Sequence, residues 1–159
     1  MIAKRSTLND STGLAEFLVD SNILVYALDA RDPEKLRRSR EVLDTLVLAD
    51  RGVLTAQVLS EFYSALRKKD IVPHDVAERA VMEYSRSWLI FDVKLEAVLE
   101  AVRGVRDYKF SYFDSLIWAT AKLNGVPNIL SEDGQDGQSV EGVRRINPLL
   151  PSFDMATLS

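Results

Sequence analysis

Short apolar runs of strand length alternate with longer stretches of helical periodicity, and no feature of the chain constrains its fold more. The runs AEFLVD (15–20), VLT (53–55), LIFDV (89–93), PNILSED (127–133) and VRRINP (143–148) read as five strands. Between them, NILVYALD (from residue 22), PEKLRRSREVLDTLVLAD (33–50) and AQVLSEFYSALRKK (56–69) read as helices. So do PHDVAERAVMEYSRSW (73–88), KLEAVLEAVRGVRDYK (94–109) and YFDSLIWATAKLNG (112–125). Ser21 or Asn22 is the expected cap of the first helix, and prolines open the helices at 33 and 73. Strands that alternate with helices make a mostly parallel sheet covered on both faces, of about five strands. In such α/β folds, ligands bind beyond the carboxyl ends of the strands, where the strand order reverses.

Composition narrows the chemistry. The 159 residues suit one core, with a polar N-terminal extension expected at 1–14, the domain at 15–150 and a tail at 151–159. The leader MIAKRSTLNDSTGLAE has two basic residues but no hydrophobic stretch after them, so a cytoplasmic protein is expected and no membrane partner. Cysteine is absent and His74 is the only histidine. Disulfides, thiolate zinc sites, cysteine nucleophiles and His-rich metal sites are therefore excluded, which leaves mainly carboxylate chemistry. The net charge of −4 argues against a highly basic nucleic-acid coat but leaves room for local contacts.

Four acids fall near strand-to-helix junctions on one predicted edge of the sheet. Asp20 closes FLVD, Asp133 closes ILSED, Glu61 lies about a turn into the helix after the second strand, and Asp114 stands near the start of YFDSLIWATAK. Two carboxylates ~4 Å apart repel by roughly 4 kcal/mol at an effective dielectric near 20, so convergence calls for protonation, a basic partner or a cation. Oxygen-only ligation suits Mg²⁺ or Mn²⁺, and such an ion would activate water and neutralise a phosphodiester transition state. Each acid also has a plain structural reading. Asp20 can cap a helix, Asp114 can complement a helix dipole, Glu61 can be solvated, and Asp133 with Asp136 can belong to a polar loop. The loop SEDGQDG lacks the spacing and terminal Glu of an EF-hand.

At these positions the chain resembles the PIN-domain family of metal-dependent ribonucleases, and within it the VapC-type toxins of type II toxin–antitoxin systems. The resemblance rests on FLVDSNILVYALD, LTAQVLSEFYSAL, FSYFDSLIWATAKLNG and ILSEDGQDGQSVEGVRRINPLL, in the family's order over about residues 17–150. It implies a Rossmann-like three-layer α/β/α fold, with Asp20, Glu61, Asp114 and Asp133 as the acidic constellation. Asp20, Asp114 and Asp133 would be metal ligands, with Asn22, Ser131 and the peripheral Asp136 in support. Ser21 stands where Thr is commoner in the family, and Gly134 where an apolar residue is usual, which leaves the Asp133/Asp136 division open. The resemblance further implies an RNA substrate, a homodimer and a VapB-like antitoxin. That partner would lay a helix across the N-terminal helices and push an arginine toward the acids.

The basic residues Arg67, Lys68, Lys69, Lys109, Arg144 and Arg145 are candidates for RNA phosphates but read more readily as a solvated or dipole-pairing set. Trp88 and Trp118 read as core or interface residues, Tyr26 and Phe113 as pocket walls, and His74 as exposed and uninvolved. The alternatives are a PIN nuclease outside any toxin pair, acting in RNA processing or on DNA, and a scaffold that keeps the fold without catalysis. A flavodoxin-like cofactor binder lacks its phosphate-cradling glycine loop.

Overall fold

The protein is described here by a computed structural model covering residues 15–159; the extension expected at 1–14 lies outside the described residues. In chain order the elements are β1 (Phe17–Val19), α1 (Ser21–Tyr26), α2 (Pro33–Ala49), β2 (Gly52–Thr55), α3 (Ala56–Lys68) and α4 (His74–Ser87). There follow β3 (Leu89–Phe91), α5 (Leu95–Tyr108), α6 (Tyr112–Leu123), β4 (Asn128–Leu130), β5 (Ser139–Val140) and β6 (Val143–Ile146). A 3₁₀ turn at Met155–Leu158 ends the chain.

The strands form one sheet in the order β3-β2-β1-β4-β6-β5, with helices on both sides. All neighbouring pairs are parallel except β5 with β6. The described residues thus hold six strands where the apolar runs indicate about five. The extra strand, β5, is two residues long and too short to show a period. It joins β6 through Glu141 and Gly142, both at positive φ (49° and 83°), which is the backbone of a two-residue hairpin turn.

The strand order reverses between β1 and β4. The chain runs outward from β1 through β2 to β3, then returns to lay β4 on the other side of β1. Their register pairs Val19 with Leu130, so the residues that leave the two strands, Asp20 and Ser131, emerge side by side. Asp20 N–H donates to Leu130 O at 2.9 Å and carries the pairing one step beyond the strands.

β1 is buried along its whole length, and α6 is buried without interruption from Ser115 to Ala121. Central parallel strands of this kind read as continuous apolar runs because both faces are covered. On α5 the small residues, not the large ones, pack inward. Ala97, Ala101 and Gly104 face inward, while Leu95, Leu99 and Val102 are 69%, 62% and 57% exposed. Close approach to α6 selects the small residues: a Cβ at Gly104 would sit 2.2 Å from Ser115 Oγ and 2.9 Å from Trp118 Cζ3. Ser115 Oγ also donates to Ala101 O across this contact at 2.7 Å. Trp118 is buried and donates from Nε1 to Val140 O, which ties α6 to the β5 hairpin.

The last residues are part of this packing. Leu158 is fully buried, and the Arg38 guanidinium on α2 donates to the carbonyls of Pro148, Leu150 and Phe153. None of the described helices is long and apolar enough to cross a membrane.

Candidate metal centre

Asp20, Asp114 and Asp133 converge at the switch between β1 and β4. Each offers a carboxylate oxygen, and these oxygens lie within 4.8 Å of one another. Asp20 arrives at the end of β1 and caps α1: its Oδ1 accepts from Ser21 N at 2.7 Å. The helix therefore starts a residue earlier than expected, with Asp20 rather than Ser21 or Asn22 as its cap, because the carboxylate serves the first free N–H directly. The structural and functional readings of Asp20 are thus compatible, since its carboxylate caps the helix and still lies with an oxygen within 4.8 Å of those of Asp114 and Asp133.

Asp133 comes from the loop after β4 and is held by a relay. Ser131 Oγ donates to Asp20 Oδ2 at 2.7 Å and accepts from Asp133 N at 3.0 Å. Asn22 Nδ2 donates to Ser131 Oγ and to Asp133 Oδ2, each at 3.1 Å. Asp114 is set by Ser111, the cap of α6, whose hydroxyl donates to Asp114 Oδ2 at 2.8 Å. The Ser111-x-x-Asp114 spacing is a capping-box pattern with Asp in place of Glu, a signal that the sequence carries.

Glu61 stands beside this triad rather than within it. Gln57, one turn earlier on α3, donates from Nε2 to Glu61 Oε1 at 2.5 Å and to Phe113 O at 3.0 Å, bracing α3 against the start of α6. Asp136 is not brought to the cluster: its Oδ1 accepts from Asn147 N at 2.8 Å. Glu132 turns away from the triad to Lys35, which also donates to the Tyr26 hydroxyl, so Tyr26 borders the site through Lys35. Phe113 contributes its carbonyl to Gln57, and its ring is exposed. His74 is exposed and lies against Tyr63, 3.3 Å from its hydroxyl.

Burial raises the Asp20 pKa, opposed by the Ser131 and Ser21 hydrogen bonds and by the charge of Arg145; Asp114 raises it slightly further. The half-buried Glu61 is also raised, first by burial and then by the charges of Asp20, Asp114 and Asp133. A buried carboxylate, two more within 4.8 Å and no nitrogen or sulfur ligand among them make a donor set that fits a hard divalent cation.

Arg145 is the residue that sequence reasoning misplaced. It is not solvated and does not face outward toward a phosphate; it is 9% exposed, with Nη1 donating to Asp133 O at 3.3 Å and lying 3.9 Å from Asp114 Oδ1. The period of a strand carries the signal: with Val143 inward and Arg144 outward on β6, Arg145 must point inward.

Residues 17–136 match the family model described as PIN domain. No curated protein matches the chain. Among solved structures, a toxin–antitoxin complex from Klebsiella pneumoniae is similar with a TM-score of 0.60 and 18% identity, over 82% of this chain and 96% of that one. Mycobacterium tuberculosis VapC20, a toxin that cleaves the sarcin–ricin loop, is similar at 0.56 and 19%, over 74% and 90%. The VapBC2 complex from Rickettsia felis, bound to a promoter DNA fragment, is similar at 0.58 and 14%, over 81% and 96%. At these identities the similarity establishes a shared fold.

Proposed function

The chain belongs to the PIN-domain family, and from that premise we propose that the pocket of Asp20, Glu61, Asp114 and Asp133 is the centre of a divalent-metal-dependent endoribonuclease, the toxin of a type II toxin–antitoxin pair. The observation that carries this reading is the convergence of Asp20, Asp114 and Asp133 from three separate segments to within 4.8 Å. These three would hold Mg²⁺ or Mn²⁺. When bound, the ion supplies positive charge for phosphate oxygens and lowers the pKa of water.

The chain's own groups do the rest. Glu61, half-buried with a raised proton affinity, is suited to accept a proton from the attacking water, and Gln57 fixes one of its oxygens for that task. The Ser131–Asn22 relay keeps Asp20 and Asp133 from drifting apart, which preserves the spacing of the site before substrate arrives. Attack by water needs no covalent intermediate on the protein. RNA is the proposed substrate and the cytoplasm the proposed compartment, with Asp136 in an outer, supporting place on its loop.

The proposed partners follow from exposed apolar surface and from the toxin–antitoxin complexes that share the fold. The row Leu95, Leu99 and Val102 on α5 is assigned to a second copy of the chain. Val47 and Leu48 on α2, 50% and 88% exposed, suit an amphipathic antitoxin helix.

Sequencing RNA ends after brief expression of the wild type and of Asp114→Asn tests the proposal. New ends that appear only with the wild type are expected. Identical end profiles from the two proteins, with the wild type folded and Mn²⁺ supplied, would refute it.

A further inference from the structure

The acidic pocket contains a cation that belongs to the chain itself. Arg145 is fixed on β6 by its place in the sheet: its backbone N–H donates to Gln138 O, and its carbonyl accepts from Gly137 N. Its side chain runs inward over Gly134. A Cβ at Gly134 would lie 3.0 Å from Arg145 Cδ and 3.3 Å from Nε, and Gly134 also adopts φ +80°, so the loop leaves room for the Arg145 side chain at a position without a side chain of its own.

The contacts at the far end are electrostatic more than ligating. One donor reaches Asp133 O at 3.3 Å, and the approach to Asp114 Oδ1, 3.9 Å, is too long for a hydrogen bond. A guanidinium stays charged at any pH the fold survives. Among the described residues no other ion pair reaches Asp20, Asp114 or Asp133; Lys35 pairs with the neighbouring Glu132 instead. The charge of Arg145 also acts on Asp20, across the pocket.

We propose that Arg145, admitted by Gly134, is a permanent counter-cation of the acidic pocket that weakens its hold on a divalent ion. The inference rests on the metal-centre reading above and adds to it a device that sets affinity. A unit charge beside an ion site at an effective dielectric near 20 is large enough that its removal should tighten binding by about tenfold, even with solvent screening. Arg145 would thereby keep the ion exchangeable, and the pocket responsive to competing cationic groups from outside.

The test is calorimetric titration of Mn²⁺ into the full chain as wild type, Arg145→Gln, Arg145→Met and Arg145→Lys, with melting curves in chelator and in Mn²⁺. The two neutral variants should bind Mn²⁺ about tenfold more tightly than the wild type and show a larger Mn²⁺-induced rise in melting temperature, whereas Arg145→Lys, which keeps the charge, should stay within about threefold of the wild type. Neutral variants that unfold in chelator but fold in Mn²⁺ would also support the proposal, since the ion then replaces the lost charge. Equal or weaker binding in the neutral variants would overturn it, as would variants that remain unfolded at saturating Mn²⁺. A wild type and neutral variants that all fail to bind Mn²⁺ would overturn the metal-centre reading as well, so the two failures are distinct.

Discussion

The hydroxyl of Ser131 donates to Asp20 Oδ2 at 2.7 Å, joining two residues 111 positions apart that the β1–β4 register sets side by side. The same oxygen accepts from Asn22 and from the Asp133 backbone, so one hydroxyl orients two of the three converging acids. Ser131→Ala is therefore expected to weaken Mn²⁺ binding by about 10–100-fold, the usual cost of losing a group that orients a ligand. Calorimetric titration checks this; unchanged affinity would show that the relay is structural only.

Asp20→Asn separates stability from function. An asparagine oxygen can still accept from Ser21 N and the buried charge disappears, while the amide group that replaces Oδ2 can no longer accept from the Ser131 hydroxyl. In chelator the relief of the buried charge is set against the lost Ser131 hydrogen bond, so the variant is expected to melt close to the wild type. Its Mn²⁺-induced stabilisation and its RNA cleavage should both be lost. Differential scanning calorimetry with and without Mn²⁺ reads the first two effects.

The pH dependence has a defined sign. Asp20 and Glu61 have folded-state pKa values above their ordinary 3.8 and 4.5, so the folded protein binds more protons than the unfolded chain between those values and the raised ones. Stability from these two groups is thus present at low pH and is lost as pH rises through that window. Glu100 and Glu141, held at about 2 by Arg103 and Lys122, act oppositely: their contribution is lost as pH falls from 4.5 through about 2. Urea melts in chelator, wild type against Asp20→Asn/Glu61→Gln, isolate the first effect. The stability gap should favour the variant increasingly as pH rises from 4 toward neutral.

Glu61→Gln should leave the three-acid cluster in place while reducing cleavage by about 10²–10⁴-fold, the range of a lost proton acceptor. Mn²⁺ affinity is expected to change far less than rate. Equal losses in both would make Glu61 a ligand instead.

On α5, Leu99→Glu is expected to convert a dimer to a monomer and to lower the melting temperature only by the lost association, because Leu99 is 62% exposed in the single chain and contributes little to its core. Sedimentation velocity distinguishes the states. A wild type that is monomeric at high concentration would remove the assignment of this face.

The sheet, its parallel strands and the places of Asp20 and Asp133 were legible because each closes an apolar run whose place in an α/β fold is dictated by rule. Asp114 instead reaches them from the first turn of α6, a helix that follows α5 with no strand between and so lies outside the expected strand-to-helix junctions. The α5 face was not legible either, since a stripe of Leu and Val looks inward until the neighbouring helix demands Ala97, Ala101 and Gly104 for close packing. Arg145 was hidden for a related reason. A basic pair in VRRI reads as surface by composition, and only the alternation of β6 separates the exposed Arg144 from the buried Arg145. The β5 hairpin escaped because Glu141-Gly142 lacks the Asn or Asp that usually marks a turn with two positive φ angles.

Crystals soaked in Mn²⁺ and measured for anomalous scattering near the manganese edge would decide whether the pocket holds an ion. A peak within ligand distance of Asp20, Asp114 and Asp133, absent in Asp114→Asn, is expected. A featureless pocket at saturating Mn²⁺, or a peak that persists in the variant, would contradict the metal centre.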